Sequence, residues 1–390
     1  MPPTSRLYDA LKQFVSQSQQ QWQDARHLQT LCWMMVGLIH SQNVHLSGFG
    51  VHVHSRANFA QSHQRRFRRW LANRRINLSA THQALVQPAL SSWGSKRLYL
   101  SLDTTLVWNC FCIVWVGVVY RGRTVPVAWR IVAQSSSTVR LWTIQRVLCQ
   151  AQRVLPESAV VVLLADRGFA DGKLMKYLNK NLGWHFRIRI KRSFAFYYQK
   201  QWRKVSEVQV QPGQAWFTRI VCLGKTKPYG GVYLAFAHDK SSDERWIIVS
   251  DEPTSVQTFS QYRLRFTVEE SFLDLKSTGF NLEASRLRDK YALSQLCGVI
   301  ALTMLFLILQ GTQVVDSGNR RQVDPHWQRG MSYLKLGWNW IRLCLTKHWQ
   351  IQVHLRLSSA PDPQPAMASL KQHQRSKKLE FIVLSDLPVS

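Results

Sequence analysis

Residues 159–169, Ala-Val-Val-Val-Leu-Leu-Ala-Asp-Arg-Gly-Phe, run seven apolar residues into Asp166 and then into a turn. Seven residues are short for a buried helix, and three consecutive valines favour a strand covered on both faces. Such strands belong to sheets flanked by helices. Upstream, 98–103 alternates as Leu-Tyr-Leu-Ser-Leu-Asp, and apolar runs at 111–120 and 124–132 are separated by Arg121-Gly122-Arg123. Residues 135–155 read as a helix, as do 172–182, and 185–190 as a strand. The order β, β, β, α, β, α, β predicts an α/β fold, a mixed sheet covered by helices.

Beyond this core the pattern changes three times. Residues 191–245 alternate short strand-like runs (194–198, 215–222, 231–237) with the turn signals Gln211-Pro212-Gly213 and Pro228-Tyr229-Gly230-Gly231, and carry Lys191, Arg192, Lys200, Arg203 and Lys204. This reads as a β-rich insertion. The core resumes at 246–310, with a strand at 246–249, a long helix at 254–277 and a buried helix at 291–309. A C-terminal helical region at 311–357 follows, with its helix over 331–349. The end, 358–390, opens with Ser-Ser-Ala-Pro-Asp-Pro-Gln-Pro-Ala and carries basic residues from Lys371 to Lys378, which suggests a flexible basic tail.

Charge narrows the function. The 390 residues include 51 Lys and Arg against 22 Asp and Glu, a net charge of +29. Hydrophobic residues at 45% and charged ones at 19% exclude wholesale disorder. So strong an excess of one sign points to a polyanionic partner: nucleic acid first, an anionic membrane surface second. The longest apolar runs, 105–120 and 297–309, fall short of the roughly 18–20 residues needed to cross a bilayer. The opening, Met-Pro-Pro-Thr-Ser-Arg-Leu-Tyr-Asp, has no secretory apolar region, so a cytoplasmic location is expected. Seven scattered cysteines without zinc-ligand spacing read as buried thiols.

Residues 1–96 read as a basic helical DNA-binding region. Within 62–75, Phe67, Trp70 and Leu71 recur at helical spacing and leave Arg65, Arg66, Arg68 and Arg69 around the remaining face. Acids that would intersperse an ordinary solvated surface are missing, which favours contact with phosphates.

Two acids terminate apolar strands, Asp103 and Asp166. Functional groups gather at the carboxyl ends of strands in open α/β sheets. Two carboxylates there suit Mg²⁺, which takes hard oxygen ligands, and two such ions can drive phosphodiester displacement. A third acid comes from Tyr262-Arg-Leu-Arg265-Phe-Thr-Val-Glu269-Glu-Ser-Phe-Leu-Asp-Leu-Lys276. At about 100° per residue, Tyr262, Arg265, Glu269 and Lys276 share an arc of roughly 60°, while Glu270 turns about 80° away. One acid with two bases and a phenol suits a metal-bound phosphodiester.

The spacing Tyr-x2-Arg-x3-Glu-x6-Lys resembles the signature of the Tyr-Arg-Glu-Lys (YREK) group of bacterial insertion-sequence DDE transposases. Leu102-Asp103-Thr104-Thr105 and Ala165-Asp166-Arg167-Gly168-Phe169 resemble that family's first and second aspartates, and Trp246-Ile-Ile-Val-Ser-Asp-Glu-Pro253 its strand before the signature helix. The resemblance covers about residues 55–310. It implies an RNase H-like catalytic domain with a β-strand insertion, and a homodimer working on double-stranded DNA. It implies cutting at terminal inverted repeats, often through a hairpin intermediate, and joining of 3′ ends to target DNA. Asp103, Asp166 and Glu269 would be catalytic and bind Mg²⁺ or Mn²⁺. Tyr262, Arg265 and Lys276 would hold DNA phosphates, and Trp246 would support a flipped base. Its bacterial setting would make the protein nucleoid-associated. Two other readings are another RNase H-like nuclease, such as a resolvase, and a non-catalytic or decayed DNA-binding protein.

Overall fold

The computed structural model describes residues 2–55, 57–225, 228–240 and 244–388. Its first part is helical: α1 (Pro3–Ser16), α2 (Ala25–Ser41), the short α3 (Leu46–Phe49), α4 (Ala60–Ala72) and α5 (Leu78–Ala89). Asp24 caps α2 by accepting from the Arg26 amide, and Asn77 caps α5 through the Ala80 amide. Each side chain satisfies an N–H that a helix start leaves unpaired.

The core sheet begins with three antiparallel strands, β1 (Arg97–Val107), β2 (Phe111–Tyr120) and β3 (Arg123–Ala133). The β1–β2 turn places Trp108 and Asn109 at φ 50° and 52°, the primed geometry that matches strand twist. After α6 (Leu141–Gln152), β4 (Val160–Ala165) pairs parallel to β1. Helix α7 (Gly172–Tyr177) continues as a π-helical segment to Leu182, and β5 (His185–Arg189) pairs parallel to β4. The run at 159–165 is therefore a central strand, with Val161–Ala165 buried as its composition demands.

Strands β6 (Ala195–Tyr198), β7 (Gln201–Lys204), β8 (Gln214–Leu223), β9 (Tyr229–Asp239) and β10 (Glu244–Ser250) do not form a sheet of their own. Because β10 pairs with β5, the inserted strands extend the core into one mixed sheet ordered β3-β2-β1-β4-β5-β10-β9-β8-β6-β7. The β10–β5 seam is locked by acids at the strand end. Glu252 receives Arg97 and Arg187, while Asp251 accepts from the Phe186 amide and pairs with His185.

The signature segment is not one regular helix. It runs as α8 (Val256–Arg263), a 3-10 turn over Leu264–Phe266, α9 (Thr267–Leu273) and a π-helical turn over Asp274–Thr278. Next comes α10 (Lys290–Asp316), 27 residues long where the sequence suggested about 291–309. It is long and apolar enough to cross a bilayer, but its apolar window is 94% buried within the molecule. It packs on β3, on α2, α4 and α5, and on α11 (Tyr333–Thr346). The helices of 1–96 are thus not a module apart: they share one continuous core with α10 and α11. Trp338 of α11 donates its indole N–H to the Ile39 carbonyl, and Arg6 reaches the Trp349 carbonyl.

The expected flexible tail is corrected as well. Asp362, inside the Pro-rich run, accepts from Arg329 and from the Tyr333 hydroxyl. Helix α12 (Leu370–Ser376) and β11 (Ile382–Leu384) follow, and β11 pairs parallel to β8. A buried anchor and a strand partner, neither visible as local periodicity, hold the segment down.

Candidate active site

Asp103 and Asp166 meet where β4 ends. Parallel pairing sets Leu102 beside Ala165, so the two acids follow matched positions on neighbouring strands, about 4.8 Å apart in the pairing direction. Asp166 caps the turn it opens, accepting from the Gly168 amide at 2.7 Å. Asp103 accepts from the Thr104 amide at 2.8 Å. Asp103 is largely buried, and burial pushes its carboxyl up to about 6; Arg265 and the Thr104 amide pull it back, while the charges of Asp166 and Glu269 raise it further.

Arg265 links the two parts of the signature to the strand. Its guanidinium donates to Asp103 Oδ2 at 3.0 Å and to Glu269 Oε1 at 2.7 Å. Its backbone carbonyl accepts from the Ser101 hydroxyl. Burial opposes its charge, yet Tyr262, Asp103 and Glu269 together hold its pKa above the ordinary value. Glu269 has half its side chain in solvent. Its neighbour Glu270 faces Arg123 instead, at 3.8 Å. Asp274 is buried and paired with Arg123 at 2.7 Å.

Of the other signature residues Lys276 is half-buried and Tyr262 buried. Lys276 donates to the Leu106 carbonyl near the end of β1, and burial lowers its pKa. Tyr262 is 1% exposed, its hydroxyl has no hydrogen-bond partner among the described residues, and burial pushes it up to about 12. Trp246 on β10 is also buried, at 4%, and its indole N–H likewise has no partner among the described residues. The two rings meet edge-on at 6.1 Å inside a small second core with Phe259, Ala215, Ala235 and Leu379. Phe381 packs on the same cluster. Tyr262 and Trp246, expected to hold a phosphate and a flipped base, therefore lie in a cluster that the C-terminal segment joins, whereas Arg265 and Lys276 lie outside it. The indole and the phenol are apolar surfaces that β8, β9 and residues 379–381 bury together.

Arg65, Arg68 and Arg69 are exposed on α4, without ion pairs among the described residues. Arg66 turns inward, donating to the Thr30 hydroxyl, and burial lowers its pKa. Beside α9 lies a cavity of about 1040 Å³ that the sequence did not reveal, reaching from Arg123 and Glu269 to Arg263, Lys335 and Lys377. Arg187 went unrecognised too, although a buried arginine next to a strand-end glutamate is a signal for an ion-paired seam.

The donor set at Asp103, Asp166 and Glu269 is all oxygen, and a hard divalent cation would offset the burial, and the lesser repulsion from Asp166 and Glu269, that raise Asp103. It fits such an ion in chemistry. Among the described residues no three acids, histidines or cysteines are arrayed as a ready ligand cluster. Arg265 stands between Asp103 and Glu269, so joint ligation requires Glu269 to leave it.

Residues 116–306 match the family described as Transposase DDE domain, a span that takes in Asp166 and Glu269 and begins after Asp103. No curated protein matches the chain in sequence. A cryo-EM structure of a piggyBac transposase synaptic complex with hairpin DNA is similar at a TM-score of 0.44 and 10% identity, over 93% of this chain and 85% of that one.

Proposed function

We propose that this chain, with its transposase DDE domain, is a DNA transposase that cuts at the terminal inverted repeats of an insertion sequence and joins the 3′ ends to target DNA. The observation that carries the reading is the pair of aspartates on neighbouring parallel strands, joined through one arginine to the glutamate of the signature. On this reading the core is RNase H-like, the chain belongs to the YREK group, and the protein works as a dimer through a hairpin intermediate.

Asp103, Asp166 and Glu269 would hold Mg²⁺ or Mn²⁺. When bound, that cation supplies Lewis acidity toward the attacking and leaving oxygens of a phosphodiester. The chain's own part is charge and position. Arg265 keeps Asp103 and Glu269 compensated while no DNA is present. Its planar, always charged fork can then pass to a phosphate oxygen, for which it has matching geometry. Trp246 is buried in its cluster but lines the cavity beside α9, and a base would have to reach it from there. The exposed arginines of α4 would hold the DNA end.

The test is Mg²⁺-dependent nicking of supercoiled plasmid carrying the inverted repeats that flank the gene. Wild type should nick; Asp103→Ala and Asp166→Ala should not, while still binding the ends. Nicking retained in either variant would overturn the assignment. Absence of nicking in the wild type, with end-binding intact, would favour a non-catalytic DNA-binding protein.

A further inference from the structure

Trp142, at the start of α6, is 46% exposed on a molecule that buries most of its indoles. Two arginines lie over its ring: Arg146, one helical turn on, at 4.9 Å, and Arg130 of β3 at 5.6 Å. Neither forms an ion pair among the described residues. The surrounding sequence explains why: residues 104–156 contain six arginines and not one acid. Arg140, Arg146 and Arg153 are all exposed along this stretch.

A guanidinium stacked on an indole keeps its in-plane N–H donors free while losing rotational freedom. That is a preorganised phosphate binder, because the side-chain ordering cost is met before the ligand arrives. With no acid in residues 104–156 and no ion pair to either arginine among the described residues, the complementary surface is a polyanion.

The sheet register gives the location. Arg130 pairs with Val114, and Val114 with Thr104, the residue after Asp103. Arg130 therefore lies in the row of Thr104, two strands away, or about 10 Å at 4.7–4.9 Å per strand. Paired residues share a face, so this row lies on the side of the sheet opposite Asp103. The loop between β3 and α6 is tied to the same point, since the Thr104 hydroxyl donates to the Ser137 carbonyl.

We infer that Arg130, Trp142 and Arg146 form a clamp for the sugar-phosphate backbone of duplex DNA on the face of the sheet opposite Asp103, separate from the signature residues and from α4. The clamp rests on the transposase reading only for its role; its binding can be measured alone. Anisotropy of a fluorescein-labelled random-sequence duplex is followed across salt concentrations in EDTA, where no cutting occurs. Each phosphate contact contributes about 0.9 to the slope of log affinity against log salt. Arg130→Gln with Arg146→Gln should reduce that slope by about 1.8. Trp142→Ala should weaken binding several-fold, and Trp142→Phe should restore most of it. If the double variant melts early, Arg146→Gln alone carries the test, with an expected loss of about 0.9. An unchanged slope in a folded variant overturns the clamp, as does a wild type without duplex affinity. A wild type that binds with the expected slope but never nicks plasmid in Mg²⁺ removes the transposase reading and leaves the clamp standing.

Discussion

Asp103, inside β1 rather than at its end, and Glu252, just past β10, are both acids beside arginines, yet burial and bonding send them in opposite directions. Burial pushes Asp103 up to about 6, whereas the hydrogen bond from Arg97, with Arg187 and His185 behind it, brings Glu252 down to about 2. A carboxyl lowered on folding contributes stability that is complete above its unfolded value, ordinarily 4.5, and that disappears as pH falls through 2. Glu252→Gln should therefore destabilise the fold by about 1–3 kcal/mol at neutral pH, a difference that shrinks as melts are repeated from pH 4.5 toward 2. At the candidate site, Glu269→Gln should abolish plasmid nicking and Glu270→Gln should largely spare it, because only Glu269 meets Arg265; the reverse result would require another acid. The three acids could be picked out in the sequence because each stands against a local pattern, an apolar strand or a helical spacing. The burial of Tyr262 and Trp246 could not, because Leu379 and Phe381, which cover their cluster, lie more than a hundred residues further on.

Among the helices, α10 and α11 pack most extensively. A Cβ on Gly337 would collide with the Leu307 carbonyl, and one on Gly311 with the Tyr333 carbonyl, so the two backbones touch where only glycine fits. Gly337→Ala must separate the helices and should cost about 1–3 kcal/mol or more, read as a lowered denaturation midpoint with the slope unchanged. On α4, replacing Arg65, Arg68 and Arg69 should reduce the salt slope of end-binding by about 0.9 for each phosphate contact; Arg66→Gln should act on stability instead, since its guanidinium bonds Thr30. An unchanged slope would make α4 a solvated face. Strand existence and order were legible from apolar runs and the Arg121–Arg123 turn. The broken signature helix was not. Its 3-10 and π turns answer to tertiary demands, with Asp274 pinned by Arg123 and the Phe280 amide bonded to the Asp274 carbonyl.

For the molecule as a whole, the sheet and the helical core both close through distant segments. Deleting residues 368–390 should bare β8 and the Trp246 cluster, and acrylamide should then quench tryptophan fluorescence more strongly than in the full chain; equal quenching would mean the segment covers nothing. The inserted strands joined one sheet rather than forming a separate unit, which no local pattern announces, since β5 and β10 are brought together across the whole insertion. A similar separation governs α1 and α2. They pack on α10 and α11, so these two helices have no complete binding face until some three hundred further residues exist. At about 5–20 residues per second that wait lasts roughly 15–60 s. Throughout it Leu7, Leu11, Phe14 and Val15, all buried in the finished protein, have α2 but not α11 to cover them. Over that interval the nascent chain should need protection from aggregation, and a message truncated before α11 should yield an aggregation-prone product.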